Sequence, residues 1–286
     1  MKQLVPVGFL LVLALAPGAG SAQEVTVGTG GFPGDVPETL RIWVGALYAA
    51  FDTSFSYNPS SSGLGVALNY EAFGLPESGF ETTAGGRWRV SRRGSVYFGY
   101  HGSSRDGNVV LEQDVEVADY TLLAGSRLAM DFEGSFLRAG YRYDVYDNGE
   151  VRIAGSAGLS WVELDTSLLV QGEVLDPQGD PVGGEYRESF SIEAPAPQVG
   201  FTIDWAFARR GVVTLYLRTL YVDLGDVRGN FTDAGVAVVW YPWRQAGVGL
   251  GVERTDIALR EYKGDDFYAR GGYGQTGLQL FLELAF

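Results

Sequence analysis

The chain of 286 residues has no cysteine and one histidine, His101. The first absence excludes disulfides, thiolate metal sites and lipid attachment at an N-terminal cysteine. The second excludes a histidine-rich metal centre. After residue 22 there is no long apolar run, so no helix of the ~20 apolar residues a membrane span needs can be placed there. Basic residues are also few: 21 Lys and Arg stand against 35 Asp and Glu, for a net charge of −14. That balance lacks the basic footprint of a nucleic-acid binder, and none is expected as a partner. Nothing in the composition or spacing calls for a cofactor or a metal.

What the chain does have begins with "MKQLVPVGFLLVLALAPGAGSA". A positive start at Lys2, an apolar stretch and a small-residue ending predict a secretory signal peptide over residues 1–22. Cleavage is expected near Ala22 after Sec-type export. Residues 23–39 are rich in Gly and Pro without a sustained period. They predict a flexible N-terminal periplasmic segment, with a small plug at its end as an option.

From Leu40 onward the pattern has a period of two. In "GLQLFLELAF" (277–286), Leu278, Leu280, Leu282, Leu284 and Phe286 share one face. In "QVGFTIDWAF" (198–207), Val199, Phe201, Ile203, Trp205 and Phe207 oppose Gln198, Gly200, Thr202 and Asp204. Alternation is the strand repeat. Runs of ten or more residues exceed the ~5–6 of a soluble sandwich and match the ~9–11 needed to cross a bilayer as tilted strands. The fold class expected is all-β: one closed antiparallel transmembrane β-barrel over residues 40–286.

Eleven segments can be placed, at 40–57, 64–74, 79–91, 94–106, 122–147, 149–171, 184–207, 211–224, 229–243, 247–262 and 268–286. Single-chain barrels close with an even number. The expectation is therefore about twelve strands, with ten to fourteen open. Tight turns at 91–95, 147–150, 208–211 and 243–247 alternate with longer polar links at 104–122, 171–188, 223–231 and 262–273, as periplasmic turns alternate with external loops. A phase slip is expected in 128–145. There the outward set changes from Leu128, Met130, Phe132, Gly134 and Phe136 to Leu137, Ala139, Tyr141, Tyr143 and Val145.

With its export signal, its strands and its last residues, the chain resembles the Gram-negative outer-membrane β-barrel superfamily. The resemblance implies an outer-membrane location, contact with outer-membrane lipids and lipopolysaccharide, and recognition by the barrel assembly machinery. The assembly signal falls on Leu282, Leu284 and Phe286. A second similarity, to small proteobacterial barrels through residues 88–107 and 193–207, implies no activity. Oligomeric state is not legible.

The inward faces carry charge of both signs. Arg87, Arg89, Glu133, Arg138, Arg142, Asp204, Arg218 and Glu253 are the lumen candidates, accompanied by Glu71, Glu81, Arg127, Asp131, Asp144, Arg152 and Glu283. Such side chains either set the field of a narrow passive, porin-like pore or knit into a network that plugs it. A non-enzymatic barrel of one of these two kinds is the leading expectation. The alternative is a lipid-modifying enzyme. His101 and Ser103 share a strand face, as nucleophile and base must, and the pair resembles that of outer-membrane lipid A deacylases, with Glu112 or Glu116 to orient the imidazole. The alternation sends both residues to the lumen, away from a lipid substrate. A third class is a binding barrel acting through acidic loops such as "LDPQGDP" (175–181) and "YKGDDFY" (262–268). Those loops could hold a divalent cation, but solvated charge is the simpler reading. Trp88, Trp205, Trp240 and Trp243 sit where an interfacial girdle is expected.

Overall fold

The computed structural model describes residues 32–57, 66–71, 74–117, 120–175, 179–223, 227–263 and 266–286. The expected signal peptide and residues 23–31 lie outside these. Thirteen strands are formed among the described residues. They are β1 (Leu40–Tyr57), β2 (Val66–Asn69), β3 (Ser78–Arg89), β4 (Gly94–Val110), β5 (Val115–Val117), β6 (Tyr120–Leu122), β7 (Arg127–Asp147), β8 (Val151–Leu175), β9 (Pro181–Ala208), β10 (Gly211–Asp223), β11 (Val227–Trp243), β12 (Ala246–Lys263) and β13 (Asp266–Ala285). No helix among them is long and apolar enough to cross a membrane. Ten strands, all but β2, β5 and β6, pair antiparallel with their neighbours around a closed barrel. The seam joins β13 to β1 from Arg41↔Ala285 to Tyr57↔Ala269, and the Leu40 and Phe286 backbones exchange two hydrogen bonds at its foot, at 3.1 and 2.8 Å.

The strand number is thus ten, at the low end of the expected range. Segment 64–74 contributes only β2, a four-residue strand on the upper part of β1. Segment 108–118 is divided between the end of β4 and the small β5–β6 hairpin. The tight turns fall where expected. At one of them Asn148 Oδ1 accepts from the Glu150 and Val151 amides at 3.0 and 2.6 Å, and Gly149 takes a φ of 84° that its missing Cβ permits. The long polar links are instead largely strand. β8 and β9 pair without a break from Val151↔Trp205 to Leu175↔Pro181.

The expected phase slip is absent too. β7 keeps register with β8 from Arg127↔Gln171 to Asp144↔Ala154, and its one shift lies beyond Asp144. What changes along β7 is the polarity of each face. At the end with the tight turns Leu137, Tyr141, Tyr143 and Val145 point outward and are exposed, while Arg142 and Asp144 are buried inside. Higher up, Leu128, Met130, Phe132 and Phe136 are buried inside, and Arg127, Asp131 and Glu133 point out.

The same inversion encircles the molecule. A belt of exposed apolar side chains includes Val199 to Phe207 of β9, Val236 to Trp240 of β11, Val248 to Val252 of β12, Leu278 to Phe286 of β13 and Ile42 to Tyr48 of β1. Leu280 is 59% exposed, which in water would be a large uncompensated apolar surface. Nine residues at about 3.3 Å each, tilted by ~40°, give a belt roughly 23 Å tall, close to the ~25 Å apolar band of outer-membrane barrels. It stops abruptly at Asp52, Ser135, Glu163, Glu193 and Arg254. Below this line the barrel is polar inside and apolar outside; above it the order reverses. Trp88, Trp205, Trp240 and Trp243 are all exposed at the tight-turn end of the belt, which makes a girdle on that side.

Candidate functional site: a lumen closed at three levels

The barrel mouth at the tight-turn end is covered by residues 32–38. Phe32 and Val36 are buried against Val212, Val239, Tyr241, Phe281 and Ala285 of the barrel wall. The segment is tied to two tight turns, by the Asp35 amide to the Arg209 carbonyl at 3.3 Å and by Arg244 Nε to the Asp35 carbonyl at 3.1 Å. Arg41 donates to the Phe32 carbonyl, and the Arg152 guanidinium lies 4.4 Å from the Phe32 ring centroid. Glu38 accepts Arg152 at 2.7 Å and Arg89 at 3.3 Å. The end of the segment expected to be flexible is therefore packed into the barrel.

Above it lies a charge network. Arg89 and Arg152 reach Asp144 at 3.2 and 3.4 Å, and Arg142 reaches Asp144 at 3.2 Å and Asp204 at 2.6 Å. Arg87 approaches Asp204 from the opposite wall at 3.7 Å. Arg138 of β7 and Arg218 of β10 both donate to Asp233 Oδ2 of β11, at 2.8 and 2.7 Å. Four of these pairs, Arg87–Asp204, Arg138–Asp233, Arg89–Asp144 and Arg142–Asp204, join strands that are not neighbours. A cavity of about 200 Å3 remains among them. Burying so many charges is tolerable only because each has an opposite partner.

Seven of the eight lumen candidates are accordingly brought together: Arg87, Arg89, Arg138, Arg142, Asp204, Arg218 and Glu253. Glu133 is not. It is exposed on the outer surface above the belt, as are Arg127 and Asp131, because it belongs to the stretch where inside and outside exchange polarity. Asp233 and Tyr241 are not singled out by the sequence. Asp233 shares its alternation phase with Gly235, Ala237 and Val239, which is the available signal. The plug entered as an option for the end of residues 23–39 has its counterpart in residues 32–38, whose contacts the sequence does not specify.

The third level begins at His101. Its Nε2 lies 2.7 Å from Glu81 Oε2 and 3.2 Å from the Gln275 amide, and its Nδ1 lies 3.8 Å from Glu253 Oε1. The Tyr273 hydroxyl donates to Glu81 Oε1 at 2.9 Å. Ser103 is also buried on the lumen side, but its hydroxyl is not engaged by the imidazole, which is committed to carboxylates. The contact that would activate a serine nucleophile is not made.

Over this cluster the lumen fills with buried apolar side chains from β1, β7, β8, β9, β11, β12 and β13. Phe132 and Tyr273 stack with centroids 5.8 Å apart, Phe136 and Phe51 lie 6.0 and 6.5 Å from Tyr273, and Leu47, Met130, Phe231 and Ile257 complete the layer. Arg105 crosses it with its guanidinium 4.1 Å from Phe51 and 4.8 Å from Phe132, held by Glu71 at 3.0 Å. Leu282, Leu284 and Phe286, the expected assembly signal, are exposed on the lower belt of β13.

A closed, ten-stranded antiparallel barrel with an apolar belt is the architecture of the Gram-negative outer-membrane β-barrels, and this chain has that fold. Among solved structures it is similar to the Escherichia coli outer membrane protease OmpT, at 12% identity, 87% of this chain, 97% of that one and a TM-score of 0.58. The Pseudomonas putida toluene transporter TodX aligns at 8% identity over 88% and 91% of the two chains with a TM-score of 0.39. The Yersinia pestis attachment invasion locus protein Ail aligns at 11% over 85% and 99%, with a TM-score of 0.32. No family model matches the chain, and no curated protein matches it. At these identities the likeness speaks for the fold alone.

Proposed function

We propose that the protein is a non-conducting outer-membrane barrel that presents a rigid β-structured extension beyond the outer leaflet. The observation that carries this reading is the aromatic layer of Phe51, Phe132, Phe136 and Tyr273 over the charge network. An open pore of this size would need its centre lined by water and short side chains. Here the lumen is packed as a protein core is, and the working surface is the outside of the extension.

That surface is polar, with Asp106, Asp131, Glu133, Glu193, Ser189, Ser191 and Arg187 exposed on it. It would stand among lipopolysaccharide headgroups, and the end of β13 would be the segment read by the assembly machinery. The hydrolase alternative loses support from the His101 contacts, and a porin-like pore from the filled upper lumen.

The test is solute release. Liposomes containing the refolded mature chain, residues 23–286, should retain a small sugar as tightly as empty ones. Release at porin-like rates would contradict the proposal.

A further inference from the structure

The cavity inside the charge network has an uneven supply of donors and acceptors. Arg138 and Arg218 converge on a single oxygen, Asp233 Oδ2. Arg87 and Arg142 converge on another, Asp204 Oδ2, and for Arg87 this is a distant contact at 3.7 Å. A guanidinium has about five N–H donors in a planar fork, so Arg87, Arg138 and Arg218 bring more donors than Asp204 and Asp233 can accept, while Arg142 divides its own between Asp204 and Asp144. Glu253 and Glu283 also line the cavity, but Glu253 accepts from Tyr216 Oη at 3.1 Å and stands between His101 and Arg138, and Glu283 is taken by Tyr241 and by Arg41 at 3.5 Å.

The wall is built to leave this space open. A Cβ on Gly99 would come within 3.0 Å of Arg138 Cγ, and one on Gly200 within 3.1 Å of Arg218 Cγ. With no side chain at either position, the two arginine stems lie flat on the strands and their heads meet at Asp233. The remaining volume, about 200 Å3, is fringed by Thr202, Thr214 and Gln279. It equals roughly six or seven waters at ~30 Å3 each, enough for a tetrahedral ion and part of its hydration.

We propose that this cavity is a binding site for a small inorganic oxyanion of the phosphate class, held chiefly by Arg87, Arg138 and Arg218. Guanidinium forks match the oxygen spacing of such an ion and bond it bidentately. The anion gives the spare donors acceptors and gives Arg87 a close partner. β3, β4 and β7 pair without interruption beside the cavity, so a lipid headgroup has no lateral entry there. The ligand is therefore a free ion that enters from the periplasm, past residues 32–38. The inference goes beyond the non-conducting reading and does not depend on it.

The experiment is equilibrium dialysis of the refolded mature protein against radiolabelled inorganic phosphate at constant ionic strength. The expected result is saturable binding of one phosphate per chain, competed by sulfate and not by equal chloride. Arg87→Met should weaken it by about ten- to a hundredfold, the loss of a charge-assisted contact. If Arg87→Met does not fold, Arg138→Met gives the second reading: it removes another of the three guanidinium forks while Arg218 still pairs with Asp233, and it should also weaken binding. A variant lacking residues 32–38 should bind faster with similar affinity. Absence of saturable binding both with and without residues 32–38 would overturn the proposal. So would affinity unchanged in Arg87→Met, or unchanged in Arg138→Met where the first variant does not fold.

Discussion

Asp233 holds two arginines on one buried oxygen, so its charge cannot be removed without stranding both. Asp233→Asn should destabilise the barrel by about 3–5 kcal/mol, the usual cost of breaking a buried ion pair from one side. Glu133→Gln, on the outer surface, should stay within about 0.5 kcal/mol. Urea unfolding in lipid vesicles, followed by tryptophan emission, measures both. The comparison is informative because sequence alternation assigned Glu133 to the lumen and did not single out Asp233. Charge and phase are readable in a strand, but the face a charge occupies depends on whether that part of the strand lies in lipid or in water. His101 shows the same limit. Its lumen orientation was legible, whereas its pairing with Glu81 and Gln275, on two other strands, required the register of the whole sheet.

Strands of the belt and strands of the extension obey opposite rules, and substitutions should report which rule applies. Leu280→Arg, on the lipid face of β13, should cost about 2–4 kcal/mol in vesicle unfolding. Ser191→Arg, on the outer face of β9 above the belt, should cost under ~0.5 kcal/mol. An equal cost at the two positions would contradict the placement of the belt. β7 explains why this boundary was read as a bulge. Its apolar residues move from the inner to the outer face between Phe136 and Leu137 while the strand continues unbroken, and in sequence a change of environment looks like a change of phase. The long polar links were read as loops for a related reason, since their outward residues are polar and the apolar packing inside was not apparent. The cap is a separate element with its own test. Val36→Cys, fully buried against the barrel wall, should resist a water-soluble maleimide. Adding Glu38→Gln, which removes the anionic partner of Arg89 and Arg152, should raise the labelling rate about tenfold or more, as expected when a local opening loses on the order of 1.4 kcal/mol.

At the scale of the whole molecule, three layers of different chemistry close one lumen: a folded-back chain segment, a charge network and an aromatic core. Fold class, closure and the membrane half were legible from the two-residue period, the turn spacing and the last strand. Whether the lumen is open was not, because that depends on how far long side chains reach across it and on a segment of chain outside the strand pattern. The most direct test is single-channel recording in a planar bilayer, comparing residues 23–286 with a variant of them that lacks residues 32–38 and carries Phe51→Ala, Phe132→Ala and Phe136→Ala together with Arg87→Ala and Arg138→Ala, which opens the charge network as well. The account predicts an electrically silent wild type and resolvable conductance steps in the variant, once cap, charge network and aromatic layer are all opened. Stable steps from the wild type, comparable with those of the variant, would contradict it.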